Sequence, residues 1–279
     1  MAQTLGRLAE AAGGELQNAD PDCEITGVAT LQHAGEGDIS FLANAGYRKY
    51  LKGTRATAVI MSAEDAAAYP AAAIVCSNPY SSYARVAALV FPPPPPRRGI
   101  HASASVAATC SIDASAWVGP NCIIEQGAVI HAGVQLAGGC FIGADSVIGA
   151  DSKLSANVVI GHAVTVGERA KIAAGAVIGS DGFGLAKEDG QWLNVPQLGS
   201  VRIGNDVDVG ANTTIDRGAL EDTVLEDGVR LDNQIQVAHN VHIGAHTAIA
   251  GCVGISGSAR IGKHCMIGGG CGIVGHLSL

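Results

Sequence analysis

Residues 118–148 read VGPNCIIEQGAVIHAGVQLAGGCFIGADSVI, and every sixth residue of this stretch is Val, Ile or Leu. The same phase runs without a slip from Ile100 to Ile178. Each of the first thirteen aliphatic residues is followed four positions later by Ala, Cys, Val or Ser. A strict six-residue period fits neither a helix of 3.6 residues per turn nor a half-buried strand of a hairpin. It is typical of a hexapeptide-repeat parallel β-helix.

Three hexads form one triangular coil of such a β-helix, so residues 18 apart in the sequence stack at about 4.8 Å, the spacing of neighbouring strands. The aliphatic residues then fill the interior, where the small residues also fit. Cys122 and Cys140 occupy the small inward position one coil apart. We therefore predict that they are reduced core residues rather than a disulfide or a metal-binding pair.

Residues 1 to about 90 lack the six-residue period and predict a small α/β domain. Thr4 precedes a segment that ends at Gly13, which indicates an N-capped helix closed by glycine. A second helix is expected at about 80–90, directly after an Asn-Pro pair. Short strands are expected at 25–31, 39–42, 57–61 and 72–76.

A proline run at 92–96, followed by two arginines, separates this domain from the repeats and predicts a stiff spacer. We therefore assign residues 1–98 to an N-terminal domain with its linker and residues 99–279 to the β-helix. Residues 180–200 interrupt the period, and a loop of this length in a repeat fold is usually functional.

The hexads return at Ile203, slip near 217–224 and then run to Leu279, where the chain stops on a hexad position. Repeat arrays need a polar cap at each end. We therefore expect residues beyond Leu279 in the natural protein.

Composition narrows the class of protein. The 279 residues include 38 Gly but only four Phe and two Trp, which suits a thin repeated coil better than a bulky globular core. The net charge of −8 argues against a nucleic-acid partner, which requires a basic stripe. The start of the chain has no secretory signal, and no apolar run is long enough for a transmembrane helix. These features predict a cytoplasmic protein with no integral membrane segment.

Two histidines share one edge of the predicted β-helix. His239 and His276 are 37 residues apart, which is two coils plus one residue, and Gly257 and Gly275 stack above His239. Two glycines leave an open slot over the imidazole and expose backbone N–H groups, which suits a general base that faces an oxyanion donor. On geometry alone, ordinary solvated corner histidines fit equally well.

A second pair of histidines lies elsewhere in the coils. His246 and His264 are 18 residues apart and are expected to stack, but a third metal ligand is not evident in the sequence. We therefore predict no metal site.

Several segments together resemble one enzyme family. Residues 216–223, DRGALEDT, and 232–240, DNQIQVAHN, resemble the active-site region of the UDP-3-O-(3-hydroxyacyl)glucosamine N-acyltransferases of lipid A biosynthesis. Four further segments match the same family: FLANAGYR at 41–48, NPYSSYA at 78–84, SDGFG at 180–184 and VGH at 274–276. The match extends over nearly the whole chain, although the family carries a final coil and C-terminal helices beyond it.

The resemblance implies a mainly β protein with a left-handed parallel β-helix, a small N-terminal α/β domain that binds uridine, and a homotrimer with clefts between subunits. A lone subunit would leave His239 in open water. The implied reaction moves a 3-hydroxyacyl chain from acyl carrier protein to the 2-amine of UDP-3-O-(3-hydroxyacyl)glucosamine. The acyl-phosphopantetheine of the carrier is a co-substrate, and no other cofactor and no metal are required.

The resemblance also assigns roles to residues. His239 is the expected general base, the Gly257 N–H the expected oxyanion contact, and His276 an assisting group. Phe41 and Tyr47 are expected to sandwich the uracil. The remaining predicted contacts are Asn44 to the uracil edge, Asn233 and Asn240 to the sugar, and Arg260 and Lys263 to the acidic carrier. Without the family match, the alternative for Phe41 is a core aromatic of a small domain.

Three alternative functions remain open at this stage. The related UDP-N-acetylglucosamine O-acyltransferases share the coil and a catalytic histidine but lack the N-terminal uridine domain. A coenzyme-A-dependent acetyltransferase would be distinguished by turnover with acetyl-coenzyme A. A non-enzymatic β-helix predicts flat polar faces, which the interruption at 180–200 and the column of His239, Gly257 and Gly275 argue against.

Overall fold

The computed structural model describes residues 2–279, which divide into two compact units. The first ends at Pro95 and the second begins at Pro96. The sequence analysis places the boundary after Arg98, so the structural division comes slightly earlier, inside the proline run.

The N-terminal unit contains three α-helices: α1 (Leu5–Ala12), α2 (Ala63–Ala66) and α3 (Pro79–Val90). A 3₁₀ helix spans Ala45–Tyr50. A five-stranded sheet is built from Glu15–Gln17, Ala73–Val75, Ala58–Met61, Asp38–Phe41 and Gly27–Val28, in that spatial order, and Gln3–Thr4 pairs with Glu24–Ile25. The two predicted long helices are present, whereas the predicted strand at 25–31 is reduced to two short pieces.

Local chemistry sets the ends of α1. The Thr4 hydroxyl accepts a hydrogen bond from the Arg7 N–H, and Gly13 closes the helix in the left-handed conformation with φ 64°. The guanidinium of Arg85, on α3, donates to the Ala12 carbonyl at 2.6 Å. This bond satisfies one of the carbonyls that the end of α1 leaves open.

The C-terminal unit is a parallel β-helix with three faces. The first face contains Gly99–Ile100, Trp117–Val118, Gln135–Leu136, Lys153–Leu154, Lys171–Ile172, Asp208–Val209, Arg230–Leu231, Ala248–Ile249 and Met266–Ile267. The second contains Ser105–Val106, Ile123–Ile124, Phe141–Ile142, Val159–Ile160, Val177–Ser180, Thr214–Asp216, Gln236–Val237, Gly254–Ile255 and Gly272–Ile273. The third contains Ser111–Ile112, Val129–Ile130, Val147–Ile148, Thr165–Val166, Val201–Ile203, Thr223–Leu225, His242–Ile243 and Arg260–Ile261.

The 18-residue stacking is confirmed. Ile124 pairs with Ile142 in the neighbouring coil, and the aliphatic residues of successive hexads form one continuous core. Cys122 and Cys140 are free, fully buried residues of that core, as predicted.

Two departures from the 18-residue coil shape one corner of the β-helix. Val166 pairs with Ile203, so the coil between them carries an excursion. We call residues 181–199 the excursion loop. It contains a hairpin of Leu185–Glu188 and Gln191–Asn194, whose Asp189-Gly190 turn has positive φ at both residues. The sequence analysis treats this stretch only as an aperiodic loop.

The second departure is the slip near 217–224. Ile215 pairs with Val237, which is 22 residues later rather than 18. The four extra residues form a bulge at the same corner, and this bulge places Leu220 and Glu221 beside the stacked positions that follow Val237.

Candidate active site

His239 lies at the corner that follows the strand Gln236–Val237, with its ring against Gly257 of the next coil. A Cβ on Gly257 would stand 2.7 Å from both Cε1 and Nε2 of the ring. Only glycine therefore leaves room for the imidazole in this position. The predicted glycine slot is present at Gly257, and within residues 2–279 neither His239 Nε2 nor the Gly257 N–H has a hydrogen-bond partner.

Asn240 determines which ring nitrogen of His239 carries the proton. Its Oδ1 accepts from the Ala219 N–H at 3.0 Å, and its Nδ2 donates to the Glu221 carbonyl at 2.8 Å. These two backbone partners orient the amide, so Oδ1 faces His239 Nδ1 at 3.0 Å. An amide oxygen can only accept, so Nδ1 carries the hydrogen and Nε2 keeps a free lone pair.

This arrangement gives Asn240 a role beside the predicted sugar contact. Both polar side-chain atoms bond within the protein, so Asn240 orients His239, while the second hydrogen of its Nδ2 has no partner among residues 2–279. Asn233 lies at a different corner from His239, after the strand Arg230–Leu231, and its Oδ1 accepts from the Ala211 N–H at 2.7 Å. Within one chain, the structure does not bring Asn233 to His239.

The excursion loop forms a wall beside His239. A Cβ on Gly182 would stand 2.8 Å from His239 Cβ and 2.9 Å from Gln197 Oε1, so only glycine permits this approach. Gln197 is 8% exposed, and its Oε1 is buried without a hydrogen-bond partner in the part of the chain that the structure describes. The expectation that a lone subunit leaves His239 in open water is therefore wrong, because the chain's own loop half-buries it.

Asp216 is the carboxylate whose charge acts on His239. Its Oδ2 accepts from Gln236 Nε2 at 3.1 Å. Burial raises the pKa of Asp216 from 3.8 to about 6, and the neighbouring His239 and the Gln236 bond oppose this rise.

The raised pKa of Asp216 predicts a pH-dependent gain in stability for Asp216→Asn. Between about pH 4 and 6 the folded protein holds a proton that the unfolded chain releases, so the carboxyl lowers stability as pH rises through this window. A shift of two pKa units corresponds to about 3 kcal/mol, reduced to about 1–2 kcal/mol by solvent screening of a partly exposed group. Denaturant unfolding should show Asp216→Asn more stable than wild type at pH 7.5 and equal to it at pH 4.

Asp113→Asn should change the stability at pH 7.5 in the opposite direction from Asp216→Asn. Hydrogen bonds from Ser115 lower the pKa of Asp113, so at pH values above the ordinary pKa of aspartate its carboxylate stabilises the folded state. The Asp113→Asn variant should therefore be less stable than wild type at pH 7.5. Equal stability of Asp216→Asn and wild type at pH 7.5 would contradict the assigned burial of Asp216.

His276 lines a groove on the other side of the same corner. His276, Ser258 and Asn240 stack in successive coils, and each has the left-handed backbone conformation of a corner. The groove has a volume of about 440 Å³ and is lined by Ala219, Leu220, Glu221, Asn240, Ser258, Arg260, His276 and Ser278. The predicted catalytic residues His239, Gly257 and His276 therefore share one corner, with Asn240 between the histidines.

The predicted uridine site contains two aromatic rings beyond those expected. Phe41 is stacked on Tyr83, with ring centroids 4.1 Å apart, and Tyr80 lies 5.9 Å from Phe41. Tyr47 is half exposed and packs against Tyr50, and the sandwich of the uracil between Phe41 and Tyr47 stays a prediction.

Asn44 begins the 3₁₀ helix, with its Oδ1 bonded to the Gly46 N–H at 2.9 Å. The sequence analysis did not assign Tyr80 and Tyr83 to this site, although both lie in the quoted NPYSSYA segment.

Comparison with known proteins identifies the family. The chain is 53% identical over 258 residues to a UDP-3-O-acylglucosamine N-acyltransferase of Pseudomonas aeruginosa, an alignment that covers 92% of this chain and 73% of the relative. The chain belongs to the UDP-3-O-acylglucosamine N-acyltransferase family. It is an acyltransferase, and the predicted family membership is confirmed. A relative from Pseudomonas fluorescens with the same name is 52% identical and covers 91% of this chain and 72% of the relative.

Family profiles cover both parts of the chain. The profile of UDP-3-O-(3-hydroxymyristoyl) glucosamine N-acyltransferase matches residues 22–89, and that of bacterial hexapeptide transferases matches residues 145–180. The solved Arabidopsis UDP-N-acetylglucosamine acyltransferase has a TM-score of 0.58 at 21% identity, and this likeness concerns the fold alone. The alignment covers 63% of this chain and 62% of that one. The predicted fold class, a left-handed parallel β-helix with a small α/β domain, is confirmed.

The described residues show neither a membrane-spanning helix nor a cluster of metal ligands. In residues 2–279, no helix has the length and apolar character needed to cross a membrane. The rings of His246 and His264 stack with centroids 5.2 Å apart, as predicted. Among the same residues, no group of three or more His, Cys, Asp or Glu side chains is placed to hold a metal ion.

Proposed function

We propose that this N-acyltransferase moves a 3-hydroxyacyl chain from acyl carrier protein to the 2-amine of UDP-3-O-(3-hydroxyacyl)glucosamine, a step of lipid A biosynthesis, with His239 as general base. The observation that carries the proposal is the orientation of His239: Nδ1 is bonded to Asn240 and Nε2 is free beside Gly257. The relatives are named UDP-3-O-acylglucosamine N-acyltransferases, which supports a UDP-3-O-acylglucosamine acceptor and a product acylated on nitrogen.

Attack on a thioester requires a neutral amine with its lone pair directed at the carbonyl carbon. The free Nε2 of His239 accepts a proton from the amine as the N–C bond forms, and an imidazole is suited to this role near pH 7. The carbonyl carbon becomes tetrahedral, and the thiolate leaves when the carbonyl re-forms.

The oxygen of the tetrahedral intermediate requires a hydrogen-bond donor. The Gly257 N–H, next to the imidazole, is the proposed donor. His276 lines the groove that begins beside Asn240, and we assign it an assisting role on the thioester carbonyl or on the diphosphate of the acceptor.

The aromatic cluster of the N-terminal unit is the proposed uracil site, and its arrangement predicts the effect of Phe41→Ala. Because Tyr83 covers one face of Phe41, the uracil is expected on the partly exposed opposite face, with Asn44 and Tyr47 nearby. Loss of a stacking contact worth about 1–3 kcal/mol should raise the KM for the UDP-sugar by about 5- to 100-fold and leave kcat nearly unchanged. Steady-state kinetics at saturating acyl carrier protein provides the measurement.

Tyr69→Ala is a suitable control for Phe41→Ala, because Tyr69 is a buried aromatic of the separate cluster around Leu42 and Met61. It should lower the melting temperature without a selective rise in KM. If Phe41→Ala lowered kcat while KM stayed constant, Phe41 would be a structural residue of its domain.

An outward column of cations next to the groove is the proposed site for the acidic carrier and its phosphopantetheine arm. Arg202 and Arg260 project from the third face with Val224 and His242 stacked between them, and Glu221, Asp222 and Asn240 line the same depression. Neither arginine has an ion-pair partner within residues 2–279, whereas Lys263, also predicted to contact the carrier, lies 3.7 Å from Glu226. Two unpaired cations favour an anionic ligand.

The outward residues of the β-helix support assembly into a homotrimer. On the second face Ile123, Phe141, Val159 and Val177 form a partly exposed apolar column. The third face presents Val129 and Val147, whereas the outward column of the first face is Trp117, Gln135, Lys153 and Lys171. Two different apolar faces on one chain suit a head-to-tail ring of three subunits. Sedimentation analysis should therefore give three times the chain mass.

An acyl-transfer assay with defined donors tests the proposed reaction. UDP-3-O-(3-hydroxyacyl)glucosamine should be N-acylated when 3-hydroxyacyl carrier proteins are supplied, and mass spectrometry should locate the new chain on the amine. The matched acceptor UDP-N-acetylglucosamine has no free amine and should remain unmodified. Transfer from acetyl-coenzyme A at the same rate as from acyl carrier protein would contradict the proposed donor.

A further inference from the structure

Arg217 is the largest fully buried side chain of the β-helix unit, with 2% exposure. It lies directly after Asp216 and does not contact the groove or the ring of His239. Burial lowers the pKa of its guanidinium, and the charges of Asp181 and Asp222 oppose that shift. A buried arginine is costly unless its donors are paired, so its bonding partners indicate its role.

Those partners lie at both ends of the excursion loop. The Arg217 N–H donates to the carbonyl of Ser180, where the loop begins, at 2.8 Å. Its Nε donates to the carbonyl of Gly199, where the loop ends, also at 2.8 Å. Its Nη2 donates to the carbonyl of His162 in the neighbouring coil at 2.9 Å, and Nη1 contacts the ring nitrogens of the same residue.

The segment after Arg217 secures the closing end of the loop. The Leu198 and Gly199 N–H groups donate to the carbonyls of Ala219 and Gly218. The Asp222 carboxylate accepts from the Ser200 N–H at 2.8 Å. The base of the excursion is thus closed from one side by residues 217–222, and Arg217 bonds to both of its ends, through its backbone N–H at Ser180 and its side chain at Gly199.

The position of the loop matters because Gly182 and Gln197 lie against His239. The Cα of Gly182 is so close that a Cβ there would stand 2.8 Å from His239 Cβ and 3.1 Å from Cδ2. A displacement of the loop by about 1 Å would therefore open or close the space around the ring. Displacements of this size at a catalytic group cost on the order of 10²-fold in rate.

We propose that Arg217 is a positioning residue for the acyl transfer: its guanidinium ties the closing end of the excursion loop at Gly199 to His162 of the neighbouring coil, its backbone N–H bonds the opening end at Ser180, and the loop so held keeps Gly182 and Gln197 against His239. This inference rests on the proposed role of His239. It assigns Arg217 no contact with either substrate. The planar guanidinium is required as well as its charge, because a lysine ammonium cannot donate to Gly199 and to His162 at the same time.

The test compares Arg217→Lys and Arg217→Met with Arg169→Met in the intact chain. Arg169 is an exposed coil arginine paired with Asp206 at 2.8 Å, away from the excursion loop. Both Arg217 variants should lower kcat by about 10²-fold, with the KM for the UDP-sugar within about threefold of wild type. Hydrogen exchange at the Val195, Leu198 and Gly199 amides should accelerate in both variants, while Arg169→Met matches wild type in both measurements.

Gly199→Ala provides a second way to displace the loop if the Arg217 variants fail to fold. A Cβ on Gly199 would press on the carbonyl oxygens of Glu221 and Gly218 and move the closing end of the loop while Arg217 is retained. It should lower kcat and accelerate amide exchange in the same manner.

Two results would overturn the inference: a variant with faster exchange in the loop but wild-type kcat, or Arg217 variants with unchanged exchange. Retained turnover in His239→Ala would refute the proposed base instead, and the exchange data would still report whether Arg217 holds the loop.

Discussion

His239→Ala should reduce kcat by about 10²- to 10⁴-fold, the range expected for loss of a general base. The free Nε2 beside Gly257 is the only unpaired base that the structure directs into this slot among residues 2–279. The KM for the UDP-sugar should change little, because the proposed uracil contacts lie in the N-terminal unit. Single-turnover measurements with acyl carrier protein and the UDP-sugar would separate chemistry from product release.

His131→Ala is the matched control for this substitution. His131 is an exposed histidine in a coil turn, so its removal makes the same chemical change elsewhere in the β-helix. It should retain wild-type turnover, and both variants should keep the melting temperature within a few degrees. Near wild-type turnover in His239→Ala would end the assignment of the base.

Gly257→Ala should lower kcat on the order of 10²-fold, because the added methyl group would stand 2.7 Å from His239 Nε2 and Cε1. The ring must move, or the methyl group occupies the space that the substrate amine needs. Alanine retains the backbone N–H, and Gly257 does not have the positive φ that disfavours other residues. The decrease in kcat would therefore reflect the lack of space beside the imidazole. It could not be attributed to a missing oxyanion donor or to backbone strain.

Gly254→Ala, three residues earlier in the same coil, provides the comparison. A Cβ on Gly254 meets no atom within 4 Å, and its backbone also accepts alanine. We expect wild-type kcat for this variant and unchanged unfolding for both. Full activity of Gly257→Ala would show that the slot above His239 is not where the amine reacts.

The aromatic cluster around Phe41 could be predicted only in part from the local sequence. The FLANAGYR and NPYSSYA segments both pointed to this domain, but neither indicated that the ring of Tyr83 is stacked on Phe41. Tyr83 lies on α3 and Phe41 at the end of a strand, 42 positions earlier in the sequence. Only packing of the helix on the sheet brings the two rings together, and no periodic pattern encodes that distance.

The hydrogen-bond partners of Asn240 could not be predicted from the sequence for a different reason. Its residue type and its place next to His239 made it a reasonable sugar contact. Its amide is oriented by the backbone of Ala219 and Glu221, which belong to the four-residue bulge. The sequence shows that the period slips there, but the conformation of the bulge decides which groups reach the amide.

The sequence by itself determined the coil, its interior and the stacking of His239 under Gly257, because parallel pairing repeats every 18 residues and each pairing constrains the next. Only the tertiary structure decided the walls of the site. Gly182 and Gln197 meet His239 because the excursion loop folds back on the coil, and the Arg217 guanidinium joins the closing end of the loop at Gly199 to His162. Such contacts join residues far apart in an aperiodic segment, where the direction of the chain depends on buried hydrogen bonds and not on a repeat.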